Sequence, residues 1–144
     1  MKSRINSIDS SDWVGYDYPH AILKCLEKCK KELSVKNAKL MKEYHDAMVR
    51  YPLAHATRLK HLQHIYQITK MIKKDWNDVL RDDIDNVVTR IMETYSDSKG
   101  QESHTSNDFK KVLRIFYRWF TLFLLSPVFR CLLTFFFFRL VFRF

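Results

Sequence analysis

TSNDFKKVLRIFYRWF, residues 105–120, joins a helix start, an apolar stripe and a basic face in one stretch. Thr105 is a good N-cap type, and Asp108 would sit in the first turn that follows, where the helix dipole favours negative charge. Arg114 and Arg118 stand toward the other end, where positive charge is favoured. Phe109, Val112, Leu113, Phe116 and Phe120 recur at spacings of three and four, which gathers them on one side of a 3.6-residue helix. Asn107, Lys110, Lys111, Arg114 and Arg118 fall on or near the opposite side. One face is patterned to pack, and the other offers cations to an anion.

The rest of the chain agrees with a helical reading. Only 2 glycines and 3 prolines in 144 residues, with 47% hydrophobic residues, fit short connections between helices better than a β-sandwich or a disordered chain. The fold class expected is all-α, a compact bundle of four to five helices. A net charge of +9 and a pI near 9.5 bias the partner list toward nucleic acid or an anionic membrane surface. Three cysteines, an odd number, and no apolar run in residues 1–11 point to reduced thiols, no secretory signal and a cytoplasmic location. Nothing in the sequence calls for a cofactor.

Upstream of the quoted stretch, residues 96–104 (SDSKGQESH) form a polar loop. Before it, residues 75–97 hold seven acids against two arginines: Asp82 and Asp83 open a fourth helix, and Ile84, Val87, Val88, Ile91 and Met92 pack it. Trp76 and Val79 plug the loop that leads there. The third helix, about 54–72, points Leu62, Ile65, Ile68, Thr69 and Ile72 inward. Between Thr57 and Lys74 it carries Arg58, Lys60, Lys70, Lys73 and Lys74 with no acid, a second basic surface to which protonated His61 and His64 would add. Ser34 caps a second helix, about 35–51, with Leu40, Met41, Tyr44, Ala47 and Met48 as its stripe. A first helix, about 20–33, buries Ala21, Ile22, Leu26, Cys29 and Leu33. Cys25 and Cys29 lie one turn apart on it, but no second ligand pair follows at zinc spacing, so no metal site is expected. Residues 1–19 read as a flexible arm.

Three segments in order carry a family resemblance. LAHATRLKHLQHI (53–65) resembles a Leu-Ser-x-x-Thr helix opening followed by Leu-x-x-Leu. KKDWNDVLRDDI (73–84) resembles a loop with Gly-Lys-Asp-aromatic and a later Asp-Ile. TSNDFKKVLRIFYRWF resembles a closing helix of pattern Thr-x-x-x-aromatic-Lys-x-x-Leu-x-x-Phe-aromatic-x-Trp. These are features of the N-terminal SAM-like, core-binding domain of tyrosine recombinases (phage integrases), of archaeal flavour, and the similarity covers residues 34–120. Three positions depart from the pattern. Ala54 and Leu80 stand where capping hydroxyls are usual, each costing a helix start roughly 1 kcal/mol, and Lys73 stands where glycine is usual.

In that family the domain is a four- to five-helix bundle forming one jaw of a clamp on duplex DNA, with two helices at the major groove. By position those are the third helix and the last, the two that composition marks as basic. The resemblance implies DNA contacts by Thr57, Lys60, His61, His64, Thr105, Asn107, Lys110, Lys111 and Arg114. The lysines would neutralise phosphates, while Asn107, His64 and Arg114 are of types that read base edges. Recombinase chemistry needs a tyrosine nucleophile and a cluster of phosphate-binding arginines in a second domain. His55-Ala56-Thr57-Arg58 spells His-x-x-Arg but lies at a helix opening with no such domain around it. The expectation is therefore a non-catalytic, duplex-DNA-binding module of integration or recombination, derived from a truncated integrase, with a full-length recombinase as a further partner.

Residues 121–144, TLFLLSPVFRCLLTFFFFRLVFRF, change composition abruptly and read as a hydrophobic tail. The segment approaches the length of a membrane span, yet Pro127 and Arg130 fall within it, and a mid-span arginine costs about 2.5–3.5 kcal/mol. A membrane-associated helical protein anchored there is the alternative reading, and unselected sequence after a truncation or frameshift the preferred account of the tail.

Overall fold

A helix starts where some group satisfies its first free N–H groups, and here most helices have such a group. In the computed structural model, which describes residues 15–51 and 53–125, the elements are α1 (Tyr18–Glu32), α2 (Val35–Arg50), α3 (His55–Ile72), a 3-10 turn (Trp76–Asp78), α4 (Arg81–Thr94) and α5 (His104–Leu125). Asp17 starts α1 by accepting from the His20 N–H at 3.0 Å, with Pro19 in the first turn, so the helix begins ahead of the expected His20. Ser34 caps α2 as expected, accepting from the Asn37 N–H at 3.2 Å. Ala54 and Leu80 supply no side-chain cap. At α4 the loss is partly offset because the Asp83 carboxylate accepts the Leu80 N–H at 2.9 Å.

At α5 the cap differs from the expected one. Ser103, not Thr105, does the capping: its hydroxyl accepts from the Ser106 N–H at 3.2 Å and its carbonyl from the Asn107 N–H at 3.1 Å. Thr105 is thus inside the first turn, and Asp108 lies beyond it rather than at the positive end of the dipole. The helix also continues past Phe120 to Leu125, with Leu122 and Phe123 partly buried against the core.

The five α-helices form a compact all-α bundle in which α3 packs against each of the other four. Among the described residues there is no strand, only an isolated antiparallel bridge between Ser96 and Glu102. The expected stripes of α2, α3 and α5 are all buried. On α1, Ile22 and Cys29 are buried while Ala21, Leu26 and Leu33 are partly so; on α4, Val87 and Ile91 are buried, and Ile84 and Val88 partly. Met92 is 44% exposed: α4 contributes a narrower stripe than its sequence promised. Tyr16 and Tyr18 meet each other edge to face at 4.9 Å and remain exposed rather than docking on the bundle, and Trp13 lies outside the described residues. So do residues 126–144, with Pro127, Arg130 and Cys131. No helix among the described residues is long and apolar enough to cross a membrane.

Trp76 plugs the α3–α4 connection as expected, and its partners explain how. Its ring lies 4.7 Å from that of Phe116, and its indole N–H donates to Thr69 Oγ1 at 2.9 Å. The buried Asn37 side chain of α2 then clips the loop, donating to the Lys74 carbonyl at 3.0 Å and accepting the Trp76 backbone N–H at 3.0 Å. Lys73, where the resemblance expects glycine, adopts a left-handed conformation with φ 57° to end α3. A side chain in that region costs roughly 1–2 kcal/mol.

Two substitutions should move stability in opposite directions. Lys73→Gly relieves the left-handed strain but loosens the unfolded chain, for a net gain of about 0.5–1 kcal/mol. Asn37→Ala strands a buried N–H and a carbonyl together and should cost about 3 kcal/mol. Urea denaturation of both variants beside the parent protein measures each change.

Candidate nucleic-acid interface

The N-terminal halves of α3 and α5 meet through a column of side chains. Lys60 Nζ lies 2.6 Å from Asp108 Oδ2, bridging the two helices at the surface. One turn along, the His64 ring lies 4.1 Å from the Phe109 ring, and Phe109 stacks on Tyr95 at 4.8 Å and 21°. Tyr95, just past the end of α4, donates its hydroxyl proton to Gln67 Oε1 at 3.2 Å. His64 Nδ1 is 2.8 Å from the Lys60 carbonyl, an acceptor, so Nδ1 carries the proton and Nε2 is the unprotonated nitrogen of the neutral ring.

The loop before α5 is ordered by its own polar groups. Asp97 Oδ1 accepts from the Lys99 and Gln101 N–H groups at 2.9 and 2.7 Å, and Gly100 takes φ 72° to close the turn. With the Ser96–Glu102 bridge this returns Glu102 to the start of α5. There Glu102 accepts from the buried Ser106 hydroxyl at 3.2 Å and pairs with Lys110.

The basic surface expected along α3 is not continuous. Acids from neighbouring elements take its lysines: Lys60 goes to Asp108, Lys70 to Glu32 of α1 at 2.8 Å, and Lys74 to Asp83 of α4 at 2.8 Å. Lys60 and Lys70 therefore turn to opposite flanks, with exposed Gln63 between them. Arg58 is half-buried, and its charge, after burial itself, helps to hold the His45 imidazole below its usual range.

His61 belongs to the core, which overturns its placement among DNA contacts. It is 2% exposed and 2.8 Å through Nδ1 from the Tyr44 hydroxyl, and burial pushes its pKa down to about 4. His64 is half-buried and likewise lowered by burial, so neither ring adds positive charge at neutral pH. Thr57 is half-buried one turn before Lys60 and His61, while Thr105 and Asn107 are exposed at the start of α5.

On α5 the picture is different. Asn107, Lys111, Arg114 and Arg118 are exposed at spacings of four, three and four, a stripe about 16 Å long at 1.5 Å per residue. Among the described residues Lys111, Arg114 and Arg118 make no ion pair, whereas Lys110, on the flank, is held by Glu102. Lys60 and His64 are brought to the N-terminal end of this stripe, and Lys111 is close enough to Asp108 to help lower its pKa after the Lys60 contact. Asp108, Tyr95 and Glu102 were absent from the expected site. The sequence did carry a signal for Asp108, an acid inside an otherwise cationic helix face.

Among the described residues no group of three or more His, Cys, Asp or Glu side chains could hold a metal ion. Cys25 and Cys29 are free thiols, and a hydrogen bond from Cys29 holds the Cys25 thiol below its usual range.

The buried histidine gives a pH signature. The folded pKa of about 4 lies below the ordinary 6.5, so the unfolded chain takes up the proton first as pH falls. This stabilisation is complete above pH 6.5 and is lost between 6.5 and 4, with a total of about 3 kcal/mol. The paired carboxylates Glu32, Asp83, Glu102 and Asp108 also have lowered pKa values, and their contributions fade below the ordinary carboxylate range. His61→Asn retains an acceptor near Tyr44 but does not titrate there. Its denaturation free energy should therefore lose the larger part of its slope between pH 6.5 and 4.5.

Comparison with known proteins returned no relative: no protein family, no curated protein and no solved structure matches the chain.

Proposed function

We propose that this chain is a non-catalytic module that binds duplex DNA through α5, with the neighbouring end of α3 as a flank. The supporting observation is the exposed stripe Asn107, Lys111, Arg114 and Arg118, whose cations lack the carboxylate partners that Lys60, Lys70, Lys74 and Lys110 possess. A rigid helix carrying cations at one-turn intervals matches a polyanion with regularly repeated charge, and its length suits a groove lined by phosphates. Lys111, Arg114 and Arg118 would neutralise phosphates, and Asn107 is placed to reach a base edge at the end of the row.

The resemblance of residues 34–120 to the core-binding domain of tyrosine recombinases adds a context. In this reading the module serves DNA integration or recombination by holding duplex, and a full-length recombinase supplies the nucleophilic tyrosine. The left-handed Lys73, at the position where that family pattern has glycine, accords with the resemblance.

The test is binding to duplex DNA across a salt series. Lys111→Ala with Arg114→Ala should weaken binding on the order of 10- to 100-fold at 0.1 M salt and make the log–log salt slope shallower by about 2. Lys70→Ala, whose lysine is held by Glu32 on the α1 side, should leave both unchanged. Equal losses from the two variants would refute α5 as the binding face.

A further inference from the structure

Asp108 is an odd residue to find on a helix face offered to DNA. Its carboxylate is partly exposed, yet it lies 2.6 Å from Lys60 on α3, with Lys111 near enough to act on its charge. It is thus an oxyanion held by a lysine expected to receive a phosphate oxygen, with a second such lysine close by. Nothing in the packing requires the charge: Phe109, the next residue, makes the buried contacts with His64 and Tyr95.

We infer that Asp108 occupies the phosphate position of Lys60 in the free protein and competes with DNA for it, so that one lysine of the interface is delivered only when a backbone phosphate displaces an internal carboxylate. The inference rests on the DNA-binding reading above. Its physical basis is that a carboxylate and a phosphate oxygen present the same acceptor to an ammonium group. An exposed pair of this kind is weak and screened by salt, so the exchange is reversible. DNA lacking a phosphate within reach of α3 would leave the pair closed. The pair therefore lowers the gain from engaging α3 and leaves contact through α5 alone unaffected. Lys110, held by Glu102 beside the same helix, is under a similar restraint.

The test is a double-mutant cycle on the full chain with a duplex of mixed sequence: parent, Asp108→Asn, Lys60→Ala and the double variant, each over a salt series. Asp108→Asn should tighten binding about 3- to 10-fold at low salt and steepen the slope by about 1 as Lys60 gains a phosphate. That gain should vanish in the Lys60→Ala background, and Asp108→Glu should resemble the parent. A gain that persists without Lys60 would mean that only the general field had changed, and would overturn the inference. So would unchanged or weaker binding by an Asp108→Asn protein whose helical circular dichroism matches the parent. Either result leaves the DNA-binding reading standing, whereas absence of binding by all four proteins overturns both.

Discussion

Tyr44 is where three helices are made to agree on one geometry. Its ring, fully buried on α2, meets Phe116 edge to face at 5.0 Å and Trp119 at 4.9 Å, both from α5, while its hydroxyl lies 2.8 Å from His61 on α3. The apolar body of the ring fixes the distance from α2 to α5. The polar tip fixes the rotation of α3, because a buried hydroxyl without a partner would be costly. His61 can serve only as a neutral ring, and its depressed pKa is the price of that position. The Lys60–Asp108 bridge and the His64–Phe109 contact follow from this arrangement, since they lie on the same two helices whose relative placement the core has already set.

Electrostatics works at a second level. The sequence separates charge by helix, with a basic α3 and an acidic α4, and folding brings the two signs back together across helix boundaries. Asp83 receives Lys74, Glu32 receives Lys70, and Asp75 accepts the Ser34 hydroxyl with Lys36 nearby at 3.8 Å. Most of these groups are exposed, so each pair contributes little to stability. Their larger effect is on the surface potential, because they neutralise lysines of α3 and its connection to α4 while Lys111, Arg114 and Arg118 on α5 keep their charge.

Periodicity made the helices and nearly all of the core legible, because the apolar stripes of α2, α3 and α5 are long and regular. The residue it misplaced, His61, and one it left unassigned, Asn37, are polar ones on those same stripes. His61 shares its register with Ile65, Ile68 and Ile72, and Asn37 shares its own with Met41, Tyr44 and Met48, so spacing alone pointed inward while residue type argued for the surface. The cap of α5 was ambiguous for a local reason: Thr105-x-x-Asp108 imitates a capping box, and only the closed turn at 97–101 favours Ser103. The α1 start was readable from Asp17 followed by Pro19. Ion pairs between distant segments, such as Lys60 with Asp108, have no sequence signal at all. They depend on which helix flanks meet, and this is why Lys60, Lys70 and Lys74 on the α3 side and Lys110 on α5 had to be reassigned while Lys111, Arg114 and Arg118 did not.

The Asn37 clip also bears on how the molecule can be handled. The connection from α3 to α4 is short, polar and rich in the residues that usually mark a loop open to nicking, tagging or insertion. Its backbone, however, is held by a side chain from α2 and its tryptophan is set among the rings of α5. A label or cleavage site placed there would disturb three helices at once. The turn at 97–101 offers a better place for a reporter on the flank of α5, at the exposed Lys99 side chain rather than at Gly100, whose φ of 72° disfavours any side chain although the space around it is open.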